Sequence, residues 1–127
     1  MHKQSEGKRT EDDLLACAIV LRAERRMRQS LLGAELFADP AWDIMLDLFI
    51  AECRGVSLLE TALCGVLPDA GTGLRSLVAL EANGHVTRSA ADGPQGSVQL
   101  SEQGRQTVRR HLLAVIGYRE TRERIAA

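Results

Sequence analysis

Aromatic side chains are scarce in this sequence, at 3% of 127 residues. Stacking platforms for single-stranded nucleic acids need several aromatic rings, so that class of binding protein is excluded. An excess of one charge is also lacking, because 16 basic residues face 17 acidic ones and the formal net charge is -1. No bulk positive field draws the chain to nucleic acid or to a membrane, and any such binding must be local.

Long apolar runs and paired cysteines are lacking as well. The longest apolar runs, such as residues 14–21, are too short to span a bilayer, and residues 1–13 are charged and lack the apolar core of a secretory signal. Cys17, Cys53 and Cys64 form an odd, widely spaced set, which indicates reduced, buried thiols rather than a disulfide framework. We therefore expect a cytoplasmic protein with no membrane segment.

The length and the 45% apolar content suit a single domain, and most of its signals are helical. Thr10 with the acidic residues after it predicts a helix start, and apolar residues at helical spacing continue to Leu36, with Gly33 as an end or a bend. Residues 1–9 are expected to be a flexible tail. Four arginines are expected to face solvent or a partner: Arg22, Arg25, Arg26 and Arg28.

Asp39 followed by Pro40 is the pattern of an N-cap and a first helical residue, and it predicts a helix from Pro40 to Cys53. One helical period explains its whole apolar stripe, so the stripe indicates core packing rather than a cofactor site. Its members are Trp42, Met45, Leu46, Phe49 and Ile50.

Two further helices and a hairpin follow. Ser57 and Glu60 have capping-box spacing, which predicts a short helix over 57–64, and Pro68-Asp69 predicts a second helix over 69–83. The two form a helix-turn-helix candidate.

The alternating residues 85–88 and 97–100 then predict a hairpin with a turn-rich tip. Ser101 caps a last helix, whose apolar row is Val108, Leu112, Val115 and Ile116.

This order of elements is that of a winged helix-turn-helix: mainly α with a small β-hairpin, and long helices at both ends. We expect one domain over 10–127, composed of a helix over 10–36, a winged helix-turn-helix over 37–100 and a C-terminal helix over 101–127. The stretches LEANGHVTR at 80–88 and VQLSEQG at 98–104 resemble the "LExxGxVxR" and "VxLTxxG" signatures of MarR-type regulators. The start DPAWD at 39–43 also resembles a subset of that family. The resemblance implies a homodimeric transcriptional regulator that binds double-stranded DNA.

The helix over 69–83 is the expected reading element. If Gly73, Leu77 and Leu80 are buried, the opposite face carries Arg75 with small and polar neighbours, which suits the major groove. By the resemblance, Arg75 occupies the position of a DNA-contacting arginine. The expected DNA-binding residues are Ser57, Thr72, Arg75, Ser76, Arg88 and Gln95.

Each assignment has a structural alternative. Thr72 and Ser76 also fit an ordinary solvated face. Ser57 is expected to turn the backbone N–H groups of its helix start toward a phosphate, and it also fits a cap that only stabilises its helix. Arg88 matches an arginine of the family signature beside the wing, and it also fits a local pair with Asp92.

A shortage of cations supports a second function. The tip of the hairpin carries no arginine, and the stretch 57–100 contains Arg75 and Arg88 against four acidic residues. Duplex affinity depends on neutralised phosphates, so binding would need dimerisation or flanking cations. Candidates for those cations are Lys3, Lys8, Arg9, Arg105, Arg109 and Arg110. The alternative is a winged-helix protein-interaction module with weak or no direct DNA binding.

Homodimerisation is expected through helices 10–36 and 101–125, because one small domain would leave their apolar stripes exposed. An enzyme, a cofactor and a metal site are not expected. His2, His85 and His111 are scattered, and the glycine-rich stretch 70–73 lacks the lysine of a phosphate loop. The resemblance leaves open a small-molecule effector and oxidant sensing by cysteine, although inert buried thiols fit the apolar helical positions better.

Overall fold

A computed structural model describes residues 2–64, 70–89 and 96–126 of the chain. The fold is mainly helical with a small three-stranded antiparallel sheet. In chain order the elements are α1 (His2–Leu32), α2 (Ala34–Phe37), α3 (Pro40–Cys53), β1 (Leu58–Leu59), α4 (Glu60–Cys64), α5 (Ala70–Ala82), β2 (Val86–Arg88), β3 (Ser97–Leu100) and α6 (Glu102–Ala126).

Helix α3 has the predicted bounds, and Asp39 is its N-cap, with the carboxylate accepting a hydrogen bond from the backbone N–H of Trp42 at 3.4 Å. Helix α1 ends at Leu32, where Gly33 adopts a φ of +105° that a side chain would disfavour. The predicted start of α1 at Thr10 was wrong, since the helix begins at His2. A good local cap does not stop a helix that can continue beyond it.

The predicted hairpin is confirmed as β2 and β3, but the sheet has a third strand. Strand β1 pairs with β3, with Leu58 opposite Val98, which gives the order β1-β3-β2. The predicted capping box of Ser57 and Glu60 was therefore wrong, and α4 begins at Glu60 instead of Ser57. In the capping box, the side chain of Ser57 would have accepted a hydrogen bond from the backbone N–H of Glu60. That N–H instead donates to the carbonyl of Gly96, next to β3, at 3.0 Å.

The core forms around α3, in which every residue from Ile44 to Ala51 is buried. The predicted stripe of α3 packs as expected, with Trp42 partly buried and its other members buried. Val108 and Leu112 of α6 are fully buried in the same core, together with Leu14 and Ala18 of α1. The expectation that one domain leaves these positions exposed was thus wrong for Val108 and Leu112, while Leu113 beside them is exposed.

Ion pairs join α1 to α3. Arg22 and Arg26 contact one oxygen of Asp47, at 3.3 and 3.2 Å, and Arg25 contacts Asp43 at 2.5 Å. Arg22 and Arg25, expected at solvent or a partner, are instead half-buried in these pairs. Arg26 is exposed as expected, although it also contacts Asp47. Arg28, the fourth of these arginines, pairs with Glu24 on α1 itself.

Asp43 and Asp47, the carboxylates of α3 that pair with α1, would leave different arginines unpaired if they were removed. Burial raises the pKa of the Asp47 carboxyl, and the attraction of Arg26 and Arg22 opposes that shift only in part. The hydrogen bond to Asp43 is the main cause of the raised pKa of Arg25, whose buried Nη2 meets no hydrogen-bond partner among the described residues. Asp43 therefore holds a largely buried cation, whereas the partners of Asp47 reach water more easily.

We predict that Asp43→Asn costs more stability than Asp47→Asn. Loss of the Asp43 charge leaves Arg25 buried without its anion, at a cost of about 3 kcal/mol. Asp47→Asn should cost about 1 kcal/mol or less, because burial already disfavours the charge of Asp47 and its partner Arg26 is exposed to water. Urea denaturation at neutral pH measures both. Equal losses of unfolding free energy in the two variants would contradict the conclusion that Asp43 holds the more buried cation.

The pH dependence gives a second check on Asp47. Since its pKa is raised by folding, the folded state holds the proton more tightly than the unfolded state. This contribution to stability is present below the unfolded pKa and is lost as pH rises through the folded pKa. The free energy of unfolding of Asp47→Asn should therefore improve relative to the wild type between acid and neutral pH.

The junction between β2 and α6 is very close. The Ser101 hydroxyl donates to the carbonyl of Gly84 at 2.6 Å and accepts from the N–H of Gly104 at 3.0 Å, and the Ser101 N–H donates to the carbonyl of His85 at 3.0 Å. A Cβ on Gly104 would overlap that His85 carbonyl oxygen. Because the obstacle is backbone, a side chain cannot turn away to make room.

Gly104→Ala should therefore destabilise the fold by roughly 3 kcal/mol. Gly117→Ala on the same helix is the matched control, because nothing lies within 4 Å of its added Cβ. Replacing an exposed helical glycine by alanine should stabilise by about 1 kcal/mol. Thermal unfolding followed by circular dichroism compares the two, and a tolerated Gly104→Ala would show that the junction can open without cost.

Candidate nucleic-acid interface

Helix α5 has one buried face and one exposed face, as the sequence predicted. Gly73, Leu77 and Leu80 are buried, and Leu77 has no exposed surface. Arg75, Ala79 and Asn83 are exposed, while Thr72 and Ser76 are half-buried at the edge of that face. The helix starts at Ala70, so the expected start at Pro68-Asp69 lies outside the described residues.

Arg75 is the cation of the exposed face of α5. Its Nη2 donates to the hydroxyl of Thr72 one turn earlier, at 3.1 Å. This contact orients the guanidinium without neutralising it, since a hydroxyl carries no charge. Among the described residues no carboxylate pairs with Arg75, whose guanidinium lies on a solvent-exposed helix face.

Two large apolar side chains share this exposed side, and sequence reasoning did not single them out as functional. Leu74 is 44% exposed and Val78 is 47% exposed, one helical turn apart. The sequence alone could have identified both side chains as exposed, because neither belongs to the predicted buried row of Gly73, Leu77 and Leu80. The exposed surface of α5 thus combines one cation with an apolar strip.

Arg88, at the end of β2, lies in a cluster of charges rather than in solvent. Its Nη2 donates to Glu60 of α4 at 2.8 Å and its Nη1 donates to Glu81 of α5 at 3.4 Å. The Glu60 hydrogen bond is the main cause of the raised pKa of Arg88. The side chain of Glu60 is 11% exposed and that of Arg88 is 23% exposed.

The two glutamates of this cluster were not recognised as functional from the sequence. Glu60 was assigned to a capping box, and its place in a mostly apolar run, LLETAL, was the signal of a buried ion pair. The alternative partner of Arg88, Asp92, lies outside the described residues.

The other expected contacts are less defined. Ser57 is exposed, but it precedes β1 instead of starting a helix, so its expected role in presenting a helix N-terminus was wrong. Gln95 lies outside the described residues.

Among the expected flanking cations on α6, Arg105 pairs with Glu52 and Glu102, and Arg109 pairs with Glu11. These pairs lower the net positive charge that α6 offers to a duplex.

Cys17 and Cys64 are buried, as expected, whereas Cys53 at the end of α3 is exposed, against expectation. Loss of contact with water is the main cause of the raised pKa of all three thiols. Cys53 is exposed as a residue and its thiol is only partly desolvated, and the carboxylates of Glu11 and Glu52 raise its pKa further. Within residues 2–64, 70–89 and 96–126, no group of three or more metal-ligating side chains comes together. No helix in that part of the chain is long and apolar enough to cross a membrane.

Comparison with known proteins gives no match: no protein-family model, no curated protein and no solved structure is similar to this chain.

Thiol labelling tests the exposure of the cysteines. With iodoacetamide at mildly alkaline pH, we expect modification of Cys53 in the folded protein, and of Cys17 and Cys64 only after denaturation, because alkylation needs an accessible thiolate. Mass spectrometry of peptides identifies the sites, and Cys53→Ser should abolish native labelling. Native labelling of Cys17 would mean that α1 separates from the core.

Proposed function

We propose that this protein is a sequence-specific, DNA-binding transcriptional regulator that inserts α5 into the major groove as a homodimer. The observation that carries the proposal is the exposed face of α5, which presents Arg75 while the opposite face anchors the helix in the core. Arginine can donate two hydrogen bonds to the edge of guanine, which is a common specific contact in that groove. The small side chain of Ala79 lets the helix approach the bases.

The arrangement around α5 supports a winged helix-turn-helix. Helices α4 and α5 pack on each other, and β2 follows α5 directly and pairs with β3. In such a fold the second helix reads the groove and the hairpin lies beside it. We therefore assign α5 as the reading helix and the hairpin of β2 and β3 as the wing.

Dimerisation is the second part of the proposal. In a single chain, large apolar side chains at the end of α1, on α2 and along α6 are exposed to water. A second copy related by a two-fold axis would cover them and would place two reading helices on successive half-sites, about 34 Å apart. The exposed residues are Met27, Leu31, Leu32, Leu36, Leu113, Tyr118 and Ile125.

A small-molecule effector stays a prediction. A cavity of about 240 Å³ lies where α1, α3 and α4 meet, and Arg22, Arg26 and Arg54 are among its lining residues.

A cytoplasmic location fits a DNA-binding regulator and is proposed with it.

A protein-interaction module is the alternative function, and the exposed Leu74 and Val78 favour it. Apolar side chains on a helix face suit a protein partner better than a phosphate backbone. The pairing of Arg88 with two glutamates also withholds a cation from DNA.

Replacement of Arg75 tests the DNA-binding function. A fluorescent duplex from the region upstream of the gene should bind the wild type, and Arg75→Ala should weaken that binding by about 2 kcal/mol, because a bidentate base contact is lost. Fluorescence anisotropy at several salt concentrations measures both. Arg54→Ala, which removes the same charge from an exposed residue after α3, is the matched control and should bind like the wild type.

Two results would contradict the proposal. Unchanged binding by Arg75→Ala would remove that residue from base reading. No binding of any duplex by the wild type at low salt would favour the interaction module instead.

A further inference from the structure

Arg88 is the point where three elements of the proposed interface meet. It ends β2, and its two Nη atoms contact Glu60 at the start of α4 and Glu81 near the end of α5. The three elements belong to different parts of the chain, because Arg88 and Glu60 are 28 positions apart. One side chain thus joins both helices of the helix-turn-helix to the wing.

The geometry does not suit a phosphate contact by Arg88. Two carboxylates already surround the guanidinium, and its Nε is buried without a hydrogen-bond partner among the described residues. A phosphate would have to displace Glu60, whose side chain is buried against the core and could not follow into water. Arg75, by contrast, contacts a neutral hydroxyl and reaches solvent.

We infer that Arg88 is a positioning residue of the DNA interface, which fixes the wing and α4 against α5 and does not itself neutralise a phosphate. This inference rests on the proposed function. The shorter contact with the more buried Glu60 provides most of the restraint, and the longer contact with the more exposed Glu81 provides less. Without Arg88, the wing and α5 are held together less rigidly, through the contacts at the junction between β2 and α6.

The salt dependence of DNA binding separates a positioning role from a phosphate contact. A cation that neutralises a phosphate contributes about 0.9 to the slope of log K against log salt concentration. Arg88→Ala should therefore weaken binding by about tenfold, a typical size for coupling between sites, with the slope unchanged. A slope reduced by about one would overturn the inference, because it would mean that a phosphate contact had been lost.

Glu60→Gln gives a second test, in which charge and position predict opposite results. Removal of a negative charge near a duplex should strengthen binding by electrostatics alone. If Glu60 acts by holding Arg88, Glu60→Gln should instead weaken binding nearly as much as Arg88→Ala, and Glu81→Gln should have a smaller effect. Stronger binding by Glu60→Gln would overturn the inference.

A control for general destabilisation is available in Ile44→Val, which removes one methyl group from the core of α3. Circular dichroism selects a temperature at which every variant is folded. At that temperature Ile44→Val should bind the duplex like the wild type, and Arg88→Lys, which can keep one of the two contacts, should recover part of the affinity. If Ile44→Val weakens binding as much as Arg88→Ala, the effect is one of stability and the positioning role is rejected.

Hydrogen exchange decides the inference even if the wild type binds no duplex and the proposed function fails. Arg88→Ala should speed amide exchange in β2 and β3 without changing it in α1, and Ile44→Val should not speed it in β2 and β3. Unchanged exchange in the two strands of Arg88→Ala would overturn the inference on its own.

Discussion

The burial of α3 on every side is the constraint on which the rest of the structure depends. An ordinary surface helix buries one stripe, but from Ile44 to Ala51 no residue of α3 is left at the surface. Helices α1, α5 and α6 and strand β3 must therefore all pack around it. This requirement also explains why Arg22 and Arg26 of α1 contact Asp47, because a helix buried all round carries that carboxylate into the protein, where it needs a cation.

The same packing produces the exposed face of α5. Because α3 and α4 both pack against it, α5 buries the row that contains Leu77 and turns Arg75 outward. The chain then turns at Gly84, with a φ of +80°, and enters β2 directly. Gly104 lets α6 start against the beginning of that strand, so the position of the hairpin relative to α5 is set by backbone contacts as well as by Arg88.

The features that could be predicted from the sequence are those that depend on neighbouring residues. The cap of α3 at Asp39 and the two faces of α5 follow from local spacing, and the structure has both. Strand β1 could not be predicted in this way, because its partner lies far along the chain and the local signal of Ser57 and Glu60 favoured a helix. The same holds for Arg88, since its partners are brought together only by the folded helices.

Charge limits how the proposed interface can work. Arg75 is the cation that the described part of α5 offers to a duplex, and Arg88 is neutralised by glutamates. A single copy therefore gains little from counterion release, which provides much of the affinity of most DNA-binding proteins. In the proposed dimer, two linked copies would bind two half-sites, and the second contact would form at a high effective concentration. DNA binding as proposed thus depends on the exposed apolar residues of α1 and α6 as much as on the reading helix, because dimerisation would supply the affinity that the charges of one copy do not.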